Sequence, residues 1–312
     1  MGIFDKRINY KPFEYPEVLE FIDLMNKTFW VHSEVDFTAD VQDYKTKLSK
    51  VKQTISKRSI LSISQTEVIV KPFWGDLYKH FPKPELNGLG VTLAESEFRH
   101  SEAYSRILSV LDLEDEFITA LESKPFKDYY NFVNNYMSSD DIASKSTFFA
   151  LVIENGSLFS KFANVLANTR FDGTMKNTSN MIAWTSVDED VHANAGIWII
   201  NQLRKEGYLT ITQDEINSMC NEYIEVESSL LDWIYEDGEY EWFSRLDMLN
   251  FIKERVDTAL VKAGFEKVFN VTSPNMNWFN EEVYATALDD FFAKRPVDYT
   301  KHDKSINAED LF

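Results

Sequence analysis

The pattern of apolar residues predicts a mostly helical chain. From about residue 50 onward, apolar residues recur three and four positions apart, which is the spacing of an amphipathic helix. Short breaks that carry glycine or proline separate these segments. The pattern predicts helices over 52–80, 88–112, 140–168, 178–205, 213–235 and 245–264, the first with a kink at Pro72. Before residue 50 it predicts one short helix, about 16–27, and an extended piece around 29–37.

The end of the chain has a different character. After about Phe292 the apolar pattern fades into polar sequence rich in lysine and aspartate. We therefore predict one all-α helical bundle over residues 1–291, followed by a flexible tail over residues 292–312. The chain shows no internal repeat and no linker rich in glycine or serine.

Composition supports the helical prediction and narrows the classes of function. Of 312 residues, 44% are hydrophobic, while only 10 are glycine and 8 are proline, which disfavours a many-stranded barrel or sandwich. The formal net charge of −19 disfavours binding to nucleic acid or to an anionic membrane surface. No apolar run is long enough for a membrane span, residues 1–11 have no apolar stretch of signal-peptide length, and Cys220 is the one cysteine. These features predict a soluble, cytoplasmic protein without disulfides.

Acidic residues on apolar helix faces are the strongest indication of chemistry. Glu67 lies on the stripe of Ile63 and Trp74, and Glu154 lies on the stripe of Leu151 and Leu158. A glutamate and a histidine three residues apart share one helix face in two further segments, as Glu97 with His100 and Glu189 with His192.

Buried carboxylates of this kind need compensating charge. An unpaired carboxylate costs several kcal/mol to bury, and four of them are tolerable when two divalent cations neutralise them. Ferritin-like di-iron and dimanganese bundles use this constellation, in which two helices give one glutamate each and two give a Glu-x-x-His pair. We therefore predict a dinuclear metal centre in a ferritin-like helical bundle. The alternative is a set of partly buried acids paired with lysine or arginine.

Several stretches resemble one family in its order and at close to its spacings. They are FWVHSEVDF, EFRHSEAYSRIL, IENGSLFSKFA, DEDVHA and the end DDFFAKRPVDYTK with AEDLF. Together they resemble the small (beta) subunit of class I ribonucleotide reductase over about residues 28–312. The resemblance implies a homodimer whose oxidised metal pair starts ribonucleotide reduction in a separate large (alpha) subunit.

The resemblance also implies roles for individual residues. The expected metal ligands are Glu67, Glu97, His100, Glu154, Glu189 and His192. Tyr104 stands where the family keeps its radical tyrosine, and Trp30, Asp188 and His100 match the hydrogen-bonded relay from the metals toward the surface. Tyr299 resembles the tail tyrosine that passes the radical on, and residues 308–312 resemble the peptide that docks on the large subunit.

Two departures from the family pattern bear on the metal. Most members have aspartate where this chain has Glu67, and Leu158 replaces one phenylalanine of the usual cage around the tyrosine. The chain is most similar to the dimanganese, superoxide-activated subclass (class Id), in which Tyr104 would be structural. A di-iron or mixed manganese–iron centre remains open, because affinity alone does not favour Mn²⁺ over Fe²⁺. The rival functions are a stand-alone dimetal oxidase, a ferritin-type metal storage protein and a metal-free acidic bundle.

Overall fold

The computed structural model describes residues 2–284, and for Ile69 and Val70 it describes the backbone alone. Twelve α-helices occur in this range, joined by short turns, and no strand occurs in it. They are α1 (Val18–Lys27), α2 (Thr38–Thr46), α3 (Lys50–Gly75), α4 (Leu77–His80), α5 (Pro84–Leu111), α6 (Glu114–Leu121), α7 (Lys124–Met137), α8 (Ile142–Phe148), α9 (Phe159–Asp172), α10 (Lys176–Lys205), α11 (Gln213–Ile234) and α12 (Arg245–Lys262). A π-helical segment, Phe149–Ser157, connects α8 to α9, and 3-10 turns occur at His32–Glu34 and Pro274–Met276.

Four long helical stretches form the centre of the bundle: α3, α5, the π segment with α9, and α10. Helix α3 packs against α5 and α9, and α10 packs against the π segment and α9. Helices α11 and α12 pack over the π segment, α7 packs against α11 and α8, and α1 covers α5. Every residue of the π segment is buried, so this segment lies in the middle of the core.

Side-chain caps fix where several helices begin. The Ser49 hydroxyl accepts a hydrogen bond from the backbone of Lys52 at the start of α3. Helices α11 and α12 both begin with a capping box, built by Thr212 in one case and by Ser244 in the other. Helix α9 ends at Asp172, and Gly173 follows it with a φ of 67°, which suits glycine.

Two glycines allow the central helices to approach each other closely. A Cβ at Gly90 of α5 would lie 2.6 Å from the carbonyl oxygen of Trp74 in α3. A Cβ at Gly196 of α10 would lie 2.6 Å from the Cβ of Ala150 in the π segment. Both distances are far below van der Waals contact, so only glycine fits at these two crossings.

The prediction of an all-α bundle is confirmed, and the differences from it are local. The segment predicted over 140–168 is divided into α8, the π segment and α9, because the backbone gains one residue per turn at its centre. The segment predicted over 52–80 continues past Pro72 but ends at Gly75, and α4 follows. No helix was predicted for α2, α6 or α7, and the piece expected to be extended contains the turn His32–Glu34.

Two further predictions meet the structure only in part. None of the described helices has both the length and the apolar character that crossing a bilayer demands. The predicted tail over residues 292–312, with Tyr299, lies outside the described residues, as do the last residues of the predicted bundle.

Candidate metal centre

The helices of the central bundle bring the six predicted ligands together. Glu67 comes from α3, Glu97 and His100 from α5, Glu154 from the π segment, and Glu189 and His192 from α10. All six side chains are fully buried. The steps of three within each Glu-x-x-His pair place both members on the inner face of their helix, as the sequence predicts.

The six side chains form two groups that share two carboxylates. One group is Glu67, Glu97, His100 and Glu189, and the other is Glu97, Glu154, Glu189 and His192. Within each group the potential ligand atoms all lie within 4.8 Å of one another. Each group therefore has one histidine and one glutamate of its own, and Glu97 and Glu189 lie between them.

Each histidine directs Nδ1 toward its group. His100 Nδ1 lies 3.0 Å from Glu189 Oε1 and 3.4 Å from Glu97 Oε2. His192 Nδ1 lies 3.0 Å from Glu97 Oε1 and 3.2 Å from Glu189 Oε2. The unshared glutamates lie slightly farther away. Glu67 Oε2 is 3.7 Å from His100 Nδ1, and Glu154 Oε2 is 3.8 Å from His192 Nδ1.

Most polar atoms of the cluster make no hydrogen bond to a described residue outside the cluster. This holds for both oxygens of Glu67, Glu97 and Glu189, for one oxygen of Glu154 and for Nδ1 of both histidines. Within that same part of the chain, no lysine or arginine forms an ion pair with the four glutamates. Buried carboxylates without such partners are costly, so the arrangement fits two divalent cations and not the alternative of acids paired with lysine or arginine.

The electrostatics of the protein alone show that cations must compete with protons. Burial, reinforced by neighbouring carboxylates, raises the pKa of Glu67 and of Glu154 well above the usual range. Burial opposes the charged form of His192, but Glu189 and Glu97 outweigh it and raise its pKa to about 9. Metal ligands must be deprotonated, so binding of cations releases these protons.

A hydrogen-bonded chain leads away from the cluster on the side of α5. His100 Nε2 lies 3.1 Å from Asp188 Oδ2, and the indole Nε1 of Trp30 donates to the same oxygen at 2.9 Å. The rings of Trp30 and His100 are stacked, with centroids 5.8 Å apart. The structure thus brings together the three residues that the resemblance assigns to the relay. An outer partner of this kind fixes the orientation of a histidine ligand.

Tyr104 is buried beside the cluster, and its hydroxyl lies close to that of Thr185. The Thr185 hydroxyl donates its own proton to the carbonyl oxygen of Met181. Burial, together with the charge of Glu67, raises the pKa of Tyr104 well above its usual value.

Sequence reasoning missed two residues that contact this site. The indole of Trp74 donates to Glu154 Oε1 at 2.9 Å, although the apolar pattern indicated only a core position for it. Arg99 lies 3.8 Å from Asp188 and donates to the carbonyl oxygen of Trp30 at 3.1 Å. A buried tryptophan needs a partner for its N–H, but the sequence does not say which residue provides it.

Comparison with known proteins identifies the family. The family described as ribonucleotide reductase, small chain, matches residues 7–276, which is most of the chain. This chain belongs to that family. The prediction of a ribonucleotide reductase small subunit, made from the sequence, is therefore confirmed, and the buried carboxylate and histidine cluster is compatible with the dinuclear metal site of such subunits.

Individual relatives of this small subunit are distant but nearly collinear with it. A protein of Invertebrate iridescent virus 3, named as a probable ribonucleoside-diphosphate reductase small subunit, is 25% identical over 95% of this chain and 85% of its own length. The ribonucleoside-diphosphate reductase subunit beta of Treponema pallidum is 22% identical over 97% of this chain and 90% of its own.

Solved structures share the fold of this small subunit. The ribonucleotide reductase R2 subunit from Clostridium botulinum superposes with a TM-score of 0.80 at 17% identity, covering 89% of this chain and 91% of its own. The Rnr4 homodimer from Saccharomyces cerevisiae gives a TM-score of 0.73 at 18% identity, covering 90% of each chain. The ferritin-like architecture predicted from the ligand pattern is therefore confirmed.

Proposed function

We propose that this small subunit holds two metal ions and passes an oxidising equivalent to a large subunit through Trp30. The observation that carries the proposal is the continuous contact from the shared-carboxylate cluster through His100 and Asp188 to Trp30. When bound and oxidised, the metal pair supplies a one-electron oxidant. The protein contributes a dry site, fixed ligands and a defined proton acceptor.

The residues around Trp30 have distinct tasks in this proposal. An indole that loses an electron becomes a strong acid, so its Nε1 proton needs an acceptor. Asp188 Oδ2, 2.9 Å away, is placed to take that proton and return it. The same oxygen accepts the Nε2–H of His100 when Nδ1 binds a cation, so Asp188 fixes both rings at once.

We further propose that manganese is the physiological metal and that Tyr104 is structural. Glu67 reaches one methylene farther than the aspartate of most members, which supports the similarity to the dimanganese, superoxide-activated subclass. Oxidation of a tyrosine releases its phenolic proton, and the hydroxyl of Thr185 beside Tyr104 is a weak acceptor whose own proton is donated to the carbonyl oxygen of Met181. Both features favour a centre that keeps the oxidising equivalent on the metals.

The remaining expectations from the family are part of the proposal. We infer that the subunit acts in the cytoplasm as a homodimer, and that its tail docks on the large subunit through residues 308–312. Tyr299 is proposed to connect Trp30 to the large subunit. The stand-alone oxidase is the second candidate, and it differs by being active without a partner.

Turnover with a large subunit tests the proposed function. Purified chain, loaded with manganese or iron and activated, is mixed with candidate large subunits, and formation of deoxyribonucleoside diphosphate is measured. We expect turnover that Trp30→Phe abolishes without lowering metal content. Trp242→Phe is the matched control, because Trp242 packs against Phe171 and Tyr240 away from the cluster. Full turnover by Trp30→Phe, or product formed without any large subunit, would contradict the proposal.

Spectroscopy tests the role of Tyr104 and the metal separately. After activation with superoxide and manganese, we expect electron paramagnetic resonance to show an oxidised manganese pair without a tyrosyl radical, and Tyr104→Phe to keep its turnover. A sharp tyrosyl signal over a di-iron centre, lost together with turnover in Tyr104→Phe, would replace the manganese proposal and leave the subunit proposal intact.

A further inference from the structure

Arg99 occupies a buried position over the proposed relay. It precedes His100 on α5, and only 6% of its surface is exposed. Its Nη1 donates to the carbonyl oxygen of Trp30 at 3.1 Å and lies 3.8 Å from Asp188 Oδ2. Arg99 Nη1 therefore contacts the backbone of Trp30. It also lies near the carboxylate of Asp188, which accepts the hydrogen bond from the Trp30 indole.

The rest of the guanidinium is held in place by other contacts. Its Nε donates to both carboxylate oxygens of Glu95, at 3.1 and 2.9 Å, one helical turn earlier on α5. Its carbon lies 4.6 Å from the ring centroid of Phe29 and 5.6 Å from that of Trp30. The rigid, planar fork of arginine allows these contacts to be made together, which the single ammonium of lysine does not.

Trp30 needs such support because helical hydrogen bonds do not fix it. It lies between the end of α1 at Lys27 and the turn that begins at His32. Its indole must nonetheless remain within hydrogen-bond distance of Asp188, which is 158 residues away in the chain. A rotation of this short segment would separate the two side chains.

We propose that Arg99 is a positioning residue that locks the backbone of Trp30, so that the indole keeps its hydrogen bond to Asp188. This inference rests on the proposed function only where it assigns Trp30 to radical transfer. The contact between Arg99 and the Trp30 backbone belongs to the fold and does not depend on that function. Charge-assisted hydrogen bonds such as those of Arg99 are about twice as strong as neutral ones, so its removal should loosen the segment measurably.

Arg106 provides a matched control on the same helix. It too donates through Nη1 to a backbone carbonyl of this segment, that of His32, at 3.1 Å. Its guanidinium lies over the ring of Phe37. None of its described contacts is with Trp30 or Asp188. If losing any arginine contact loosened the whole segment, substitution of Arg106 and substitution of Arg99 would have the same effect. If Arg99 locks Trp30 specifically, only substitution of Arg99 will have an effect.

Hydrogen exchange of the indole reports on the lock directly. The full-length chain is labelled with ¹⁵N-tryptophan and studied without added metal, and the Trp30 indole signal is assigned by its loss in Trp30→Phe. We expect Arg99→Gln to speed exchange of this proton by about tenfold or more, since the charge-assisted hydrogen bond to the Trp30 carbonyl is lost. Arg99→Lys keeps the charge without the fork and should behave like Arg99→Gln, while Arg106→Gln should match the wild type.

Turnover then shows whether the lock matters for function. In the metal-loaded protein, Arg99→Gln should keep its metal content and its half-saturating concentration of large subunit, while its maximal rate falls by about tenfold. Unchanged indole exchange in Arg99→Gln, wild-type exchange in Arg99→Lys, equal acceleration in Arg106→Gln, or an undiminished maximal rate would each overturn the inference. If the wild type shows no turnover with any large subunit, the proposed function fails, and the exchange measurement still decides the role of Arg99.

Discussion

One of the two glycine crossings in the bundle offers a test of how packing sets the metal ligands. Gly196 of α10 faces Ala150 of the π segment, and a Cβ added there would lie 2.6 Å from the Ala150 Cβ and 3.3 Å from its Cα. Carbon atoms in contact are about 3.5–4.0 Å apart, so Gly196→Ala forces the two segments apart by about 1 Å. His192 and Glu154 each lie one helical turn from this contact, and they belong to the same ligand group.

The magnitude follows from two opposing terms. Alanine is favoured over glycine in a helix interior by about 1 kcal/mol, which would stabilise the variant. Overpacking of a rigid core costs about 1–3 kcal/mol, and here both clashing atoms belong to or adjoin backbone, so we expect the cost near its upper end. A net loss of about 2 kcal/mol lowers the melting temperature of a chain of this size by roughly 3 °C.

Metal content gives the functional part of this test. Ligand positions must hold to within about 0.2 Å for a site to keep its affinity, so a displacement of Glu154 should empty one of the two groups. We expect wild-type protein to bind two manganese ions per chain and Gly196→Ala about one. The assays are thermal unfolding followed by circular dichroism and metal analysis after gel filtration.

Gly75→Ala is the control for the loss of a glycine. Its added Cβ would meet only the Cβ of Ala94, at 4.0 Å, which is an ordinary contact. We expect wild-type metal content and an unchanged or slightly higher melting temperature. Wild-type stability and two metals in Gly196→Ala, or an equal loss in Gly75→Ala, would refute the reasoning.

Two further predictions concern protons and a second buried charge. Because the pKa of His192 is about 9 in the protein alone, Mn²⁺ must displace its proton, and competition binding should show affinity falling by at least about tenfold as the pH is lowered from 8 to 7. Affinity independent of pH would contradict this. Lys161 and Glu227 form a buried ion pair with Nζ–Oε distances of 2.6 and 2.7 Å, so Lys161→Met should cost about 3–5 kcal/mol in urea unfolding, whereas the double variant with Glu227→Leu should recover most of that stability. A double variant as unstable as the single one would show that the unpaired charge is not the cause.

Helix periodicity predicted the bundle because most helices present one apolar face. It failed at the π segment for a physical reason. All nine of its residues are buried, so no polar face marks the register, and the steps from Leu151 to Glu154 and Leu158 fit an ordinary helix. Helix α7 carried a signal that was missed, since Pro125 is typical of a helix start and Phe126, Tyr129 and Phe132 follow at helical spacing.

For the metal centre, the sequence predicted which residues face inward but not how they are shared between the two groups. Spacing alone indicated that Glu97 with His100 and Glu189 with His192 would face inward, and the acids on apolar stripes supplied the other two positions. It could not indicate that Glu97 and Glu189 are the shared pair, because that depends on how four helices cross. Trp30 and Asp188 are too distant in sequence for spacing to join them, and only the family resemblance placed them together.

Diffraction from crystals grown with manganese, recorded with its anomalous signal, tests the central claim most directly. We expect two manganese peaks per chain, with Glu97 and Glu189 between them. One peak should adjoin Glu67 and His100, and the other should adjoin Glu154 and His192. A manganese-soaked crystal with no peak or one peak at this place, and with these carboxylates turned toward lysine or arginine side chains, would contradict the account.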